Sequence, residues 1–191
     1  MKLYCTPGSP YARMARIVVI EKGLEKRVEI VMAQTRKEGS PYYAINPSGR
    51  VPYLVRDDGV GMEESQLICA FLGFEPSADW EARRLEGLAR SLMDGLAVWL
   101  RELYRPQNER SPGLIRHEAA RAARLLDAWE REIAHPHLRG ALNMVQLTLA
   151  CALGIEMRMP DLDWRSGHPK LVAWYEPIAA RPSFVATRPP Q

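Results

Sequence analysis

Val51-Pro52-Tyr53-Leu54-Val55-Arg56-Asp57-Asp58-Gly59-Val60-Gly61-Met62 decides the fold of the first half of this chain. Two short runs of β-favouring residues, 51–55 and 60–62, flank Asp57-Asp58-Gly59, and an Asp-Gly pair suits the positive-φ positions of a hairpin turn. Those two strands must be antiparallel neighbours. Working outward, Lys2–Cys5 is a brief strand and residues 28–32 alternate as another. Between them Ser9-Pro10 opens a helix, because serine caps and proline suits the first helical position. Ile17, Val18 and Ile20 carry its buried face, and Gly23 offers a left-handed stop. Residues 36–45 read as a short helix or an irregular turn, and residues 64–72 return to helix before Gly73. The order β-α-β-α-β-β-α is an α+β arrangement.

From about Ser77 the strand signal stops. Leu85, Leu88, Leu92, Leu96, Trp99 and Leu103 recur at steps of three and four, the stripe of one long amphipathic helix that Pro106 ends. Ile115, Ala119, Ala122, Leu126, Trp129 and Ile133 repeat the pattern after Ser111-Pro112, up to His135-Pro136, so the two helices read as an antiparallel pair. Residues 143–154 are almost wholly apolar and belong in a core; residues 168–180 form a further helix, and 188–191 a frayed tail. The Gly, Pro and Ser of segment 73–78 divide the chain into an α+β domain, 1–75, and an all-α helical bundle domain, 76–191.

A formal charge of +3, without basic runs interleaved with aromatics, points away from nucleic acid and toward small molecules or proteins as partners. No apolar stretch approaches the roughly 18–20 residues of a membrane span, and no charged-then-apolar leader precedes the first strand. Cys5, Cys69 and Cys151 are scattered and odd in number, with no C-x-x-C, so neither a disulfide framework nor a metal site is suggested. The expectation is a reduced, cytoplasmic protein with no metal.

Three places in the first half could carry chemistry. Thr6-Pro7-Gly8-Ser9-Pro10 sets a hydroxyl at a helix N-terminus, where orphan N–H groups and the helix dipole favour a thiolate; the alternative is that Ser9 only caps. Asn46-Pro47-Ser48-Gly49-Arg50-Val51-Pro52 is a rigid turn into a strand whose proline lacks a donor. A peptide-like ligand could take both backbone hydrogen bonds of Val51 there, or the segment is an ordinary turn. Glu64-Ser65 opens a helix, where serine could hold a carboxylate and Glu64 an ammonium, or the pair is again a cap.

In order and spacing these segments resemble the N-terminal domain of bacterial glutathione transferases: Lys2-Leu3-Tyr4, Gly8-Ser9-Pro10-Tyr11-Ala12-Arg13, the 46–52 run and Met62-Glu63-Glu64-Ser65. Asn143-Met144-Val145-Gln146, Pro160-Asp161-Leu162-Asp163-Trp164, His168-Pro169 and Arg181-Pro182-Ser183-Phe184 are similar to the family's helical domain. The resemblance implies a thioredoxin-like domain that binds glutathione as co-substrate. Ser9 would be the catalytic hydroxyl on the glutathione sulfur. Val51 would pair with the cysteinyl unit beside a cis Pro52, Glu64 and Ser65 would hold the γ-glutamyl group, and Arg50 would touch another part of the tripeptide. It further implies attack of the thiolate on a small hydrophobic electrophile, as in detoxification, with Tyr11 and Trp99 (or Met93) lining an acceptor pocket between the domains, and a homodimer.

Redox members of the wider thioredoxin-like group carry cysteine where this chain has Ser9-Pro10-Tyr11-Ala12, and serine forms no mixed disulfide. Cys5 reads as a small buried residue, with a glutathione-dependent reductase as the rival reading and a non-catalytic glutathione- or protein-binding module as another. Asn143 and Gln146 replace the family's usual capping pair and still cap.

Overall fold

A computed structural model describes residues 1–190; Gln191, the last residue of the expected tail, lies outside the described residues. The chain divides into two compact units, Met1–Pro76 together with Pro182–Pro190, and Ser77–Arg181.

The first unit is a four-stranded mixed sheet with short helices. Strand β1 (Lys2–Cys5) is followed by helix α1 (Pro10–Glu21), β2 (Glu29–Met32), α2 (Tyr42–Ile45), β3 (Tyr53–Val55), β4 (Gly61–Glu63) and α3 (Ser65–Phe71). The sheet order is β2-β1-β3-β4, with β1 parallel to β2 and antiparallel to β3, and β3 antiparallel to β4. The hairpin is therefore present, with each strand trimmed for a local reason. Pro52 has no N–H to give the ladder, so β3 begins at Tyr53 rather than at residue 51. Val60 belongs to the turn, its N–H donating to Asp58 Oδ1 at 3.1 Å, so β4 starts one residue later than the pattern suggested. Val28 likewise closes a turn onto Leu24 O at 2.9 Å and stands outside β2. Of residues 36–45, only Tyr42–Ile45 are helical.

Leu3, Met14, Ile17, Leu54 and Ile68 form the core of this unit, each fully buried. A short helix α8 (Pro182–Ala186), which carries no periodic signal of its own, returns to α1 and adds Phe184 to that core. It is anchored by Arg13, whose Nη2 donates to Phe184 O at 3.0 Å.

The second unit is all-helical: α4 (Trp80–Leu103), α5 (Pro112–Glu132), α6 (Met144–Leu153) and α7 (Pro169–Ala179). Asp79 caps α4, accepting from Glu81 N–H at 2.7 Å, and these helix N–H groups hold its carboxyl below the usual carboxylate range. The expected stripes of α4 and α5 face inward: Leu85, Leu92 and Leu96 on one, Leu126 and Trp129 on the other. All ten residues of α6 are buried, as its unbroken apolar sequence requires. Its capping box is complete: Asn143 Oδ1 accepts from Gln146 N–H and Gln146 Oε1 accepts from Asn143 N–H, both at 3.1 Å. Among the described residues no helix is long and apolar enough to cross a membrane.

Candidate functional site

Register fixes the site. Tyr4, Tyr53 and Glu63 lie in one row across β1, β3 and β4. Strand β1 leaves the sheet just past that row, while β3 enters and β4 leaves at the row itself. Residues 6–10, the 46–52 turn and Glu64-Ser65 therefore emerge at the same end of the sheet.

Ser9 is the N-cap of α1, in extended backbone (φ −79°, ψ 119°), and its Oγ accepts from Ala12 N–H at 3.2 Å. That bond uses a lone pair and leaves the hydroxyl proton to donate. Ser9 is half-buried, and so is Tyr11 in the first turn that follows.

The 46–52 turn is held by residues that motif reading passed over. Asn46, 2% exposed, donates from Nδ2 to Arg50 O at 3.0 Å and accepts at Oδ1 from Ser48 N–H at 3.1 Å. The Tyr42 hydroxyl donates to the same Arg50 carbonyl at 2.5 Å, and burial pushes that phenol above its ordinary pKa against the opposing Asn46 hydrogen bond. Ser48 Oγ donates to Glu63 Oε2 at 2.6 Å, tying the turn to β4. Gly49 (φ +65°) is required twice over: its backbone is left-handed, and a Cβ would stand 2.6 Å from Tyr43 Cε1. The backbone of Arg50 is thus gripped while its side chain stays exposed.

The Val51–Pro52 peptide bond is cis. Among the described residues no hydrogen bond engages the N–H or C=O of Val51, which stands two residues outside the ladder. An unpaired backbone edge beside a sheet is a docking strip for another extended chain.

At the third segment the cap reading holds for Glu64. Its Oε2 accepts from Gln66 N–H at 3.0 Å and Leu67 N–H at 3.1 Å, and its Oε1 accepts from Ser65 Oγ at 3.3 Å. Glu64 also has φ +81°, a conformation that costs a non-glycine residue of order 1–3 kcal/mol and that clusters at ligand clamps. A carboxylate offers about four lone-pair sites and a negative charge, a chemistry that suits an ammonium. Ser65 is buried.

Ser9, the backbone of Arg50 and Val51, Glu64 and Ser65 are therefore gathered at one end of one sheet. Trp99 and Met93 belong to α4 in the second unit, where both are core residues at 9% and 0% exposure. The signal for the missed supports was present in part: Asn46 and Ser48 have the side chains of self-bonding turns, and Glu63 lies opposite Tyr53 in the row that defines the site.

Cys5 is fully buried, its Sγ 3.6 Å from Leu3 O, and burial pushes its thiol up to about 12 against a weaker opposing field from Arg16. Such a group stays a thiol at neutral pH and is inert, which removes the basis for a reductase built on it. Among the described residues no group of three or more His, Cys, Asp and Glu side chains could hold a metal ion.

Residues 8–73 match the family described as glutathione S-transferase, N-terminal domain, and residues 85–176 match glutathione S-transferase, C-terminal domain. The chain is 29% identical over 203 residues to the uncharacterized GST-like protein YibF of Escherichia coli (strain K12), covering 100% of both. It is 30% identical to glutathione S-transferase 3 of Zea mays, covering 98% of this chain and 92% of that one. A glutathione transferase family member from Pseudomonas fluorescens Pf-5, solved with bound glutathione, superposes with a TM-score of 0.89 at 32% identity, covering 100% of this chain and 99% of the other. With both halves matched and the fold shared throughout, this chain belongs to the glutathione S-transferase family.

Proposed function

We propose that this protein is a glutathione transferase that binds glutathione at the end of its sheet and activates the thiol for attack on a small hydrophobic electrophile. The observation that carries the reading is the free backbone edge of Val51, set between a capping hydroxyl and a carboxylate–serine pair. Glutathione has one group for each: a peptide edge for Val51, a thiol for Ser9, an ammonium for Glu64 and a carboxylate for Ser65. Arg50 takes a further contact on the tripeptide. The Pseudomonas fluorescens relative, solved with glutathione, supports the same reading.

In the reaction the thiol proton leaves to solvent and the sulfur, now a thiolate, accepts the Ser9 hydroxyl proton in a hydrogen bond while Ser9 Oγ keeps its bond from Ala12 N–H. The sulfur lone pair forms a bond to the electrophilic carbon, and the leaving group departs with the electron pair of the bond that breaks. Stabilising the thiolate raises the nucleophile's abundance near neutral pH, and holding both reactants supplies proximity. Tyr11, half-buried in the first turn after Ser9, is proposed as an acceptor contact. The protein acts in the cytoplasm as a homodimer, for which α3 offers the exposed Leu67 and Phe71.

Titration calorimetry with glutathione, followed by conjugation assays against chlorodinitrobenzene and a panel of apolar electrophiles, tests this. Saturable uptake with turnover is expected. No uptake by folded protein defeats the reading, and uptake without turnover on any electrophile favours a binding module.

A further inference from the structure

Arg13 is a buried cation without an anionic partner. It lies one helical turn beyond Ser9, its N–H donating to Ser9 O at 2.9 Å, and is only 4% exposed. Its guanidinium meets neutral groups: Phe184 O at 3.0 Å from Nη2, Thr187 Oγ1 at 3.5 Å from Nε, and the Phe184 ring, whose centroid is 5.6 Å from Cζ. Thr187 spends its own hydroxyl proton on Ser183 O at 2.8 Å and so presents a lone pair to Arg13. Glu21, the carboxylate of α1 that reaches α8, is hydrogen-bonded to Ser183 Oγ instead. Among the described residues no carboxylate pairs with Arg13.

Burying a charge is costly, and an apolar side chain of similar volume fills such a place at lower cost. Tying α8 to α1 would not by itself require a cation. What the guanidinium supplies, and a methionine would not, is an uncancelled field in a low-dielectric interior. Four residues of helix, about 6 Å along the axis, separate Arg13 from Ser9 at the helix N-terminus. The helix dipole has the same sign at that end.

We propose that Arg13 is a positioning residue of the glutathione site, its unpaired buried charge holding the bound sulfur as thiolate against Ser9. This rests on the reading of Ser9 given above. The other charged groups on α1 and on the elements packed against it are Arg16 and Glu21 on α1 itself, Lys22 capping its C-terminus, Lys2 on β1, Glu64 capping α3, and Arg181 and Arg188 flanking α8. A unit positive charge about 10 Å away, at an effective dielectric of about 20, lowers a thiol pKa by about 1.

The test follows the thiolate absorbance of bound glutathione against pH, with the affinity for S-methylglutathione, which has no ionisable thiol, measured alongside. Arg13→Met removes the charge and keeps most of the volume. Thr187→Asp leaves Arg13 in place and neutralises it with a carboxylate, so folding does not depend on losing the anchor. Both are expected to raise the pKa of the bound thiol by about 1, a loss of about tenfold in thiolate below that pKa, while S-methylglutathione binds within about twofold of wild type. Arg13→Lys should stay near the wild-type pKa. An unmoved thiol pKa in either folded, S-methylglutathione-binding variant overturns the proposal. Failure of the wild-type protein to bind S-methylglutathione overturns the glutathione reading itself, a separate result.

Discussion

Replacing Ser9 by alanine should damage two properties by two different amounts, and the difference is the test. The hydroxyl accepts from Ala12 N–H at 3.2 Å, so Ser9→Ala leaves one helix donor uncapped. That costs about 1 kcal/mol, or about 2–4 °C in the unfolding midpoint of a chain of this size. The same substitution removes the donor to the sulfur. A hydrogen bond to a charged group contributes about 1.5–3 kcal/mol, which is a loss of about 10- to 150-fold in kcat/KM and a rise of about 1–2 in the thiol pKa. Ser9→Asp separates the effects: aspartate caps as well as serine, yet it has no proton to donate at neutral pH and sets a negative charge against the thiolate. Its midpoint should stay near wild type while its activity falls at least as far as that of Ser9→Ala. Ser9→Thr keeps both roles and should lose little of either. Steady-state conjugation of chlorodinitrobenzene across pH, with heat unfolding of each variant, measures both axes. The reasoning is refuted if Ser9→Ala retains kcat/KM within about twofold of wild type at every pH while glutathione still binds.

Gly49→Ala should weaken glutathione binding and cost about 1–3 kcal/mol of stability, since it forces a side chain into left-handed backbone and onto Tyr43 Cε1 at 2.6 Å; calorimetry and chemical unfolding check it. Glu64→Gln keeps an oxygen for Gln66 and Leu67 but loses the charge that would meet an ammonium, so affinity should drop about 10-fold or more while the unfolding midpoint moves little. Equal affinity in wild type and Glu64→Gln would remove Glu64 from the site. For Cys5 the folded pKa, about 12, lies above the ordinary thiol value of 9.0. The thiol is neutral in both states below pH 9; between 9 and 12 only the unfolded chain gives up the proton, so stability falls as pH rises through that window. Unfolding measured across it should show a shallower decline in Cys5→Ala, and the native Cys5 should resist alkylation at pH 8 while Cys5→Ser keeps its transferase activity.

The elements that could be read from sequence are those whose signal is local. Leu85, Leu92 and Leu96 repeat at helical spacing because one neighbouring surface covers them all, and α6 is unbroken because it is buried on every side. The 57–59 turn is likewise self-contained, closed by Arg56 N–H on Val60 O at 3.0 Å. Element ends were less legible because hydrogen bonds, not hydrophobicity, set them: Asp58 takes Val60 out of β4, and Leu24 takes Val28 out of β2. Helix α8 was not legible at all. It is five residues long, and what holds it is Arg13, 171 positions away from Phe184.

The site divides along the same line. Ser9, Val51 and Glu64-Ser65 could be singled out because each stands where a strand gives way to a turn or helix, and the order of strands alone brings those junctions to one end of the sheet. Their supports could not be singled out. Tyr42, Asn46, Ser48 and Glu63 make a network in which the Arg50 carbonyl accepts twice and the Glu63 carboxylate accepts twice, and no single residue in it has a distinctive neighbour in sequence. Rigidity at Val51 is a property of that network rather than of the turn sequence. An edge strip binds an extended ligand only if its N–H and C=O are held out of the sheet and kept from collapsing onto it. Asn46 and Glu63 therefore bear on function as much as Val51 does, through geometry alone: loosening them should weaken binding of glutathione without moving the pKa of the thiol that does bind.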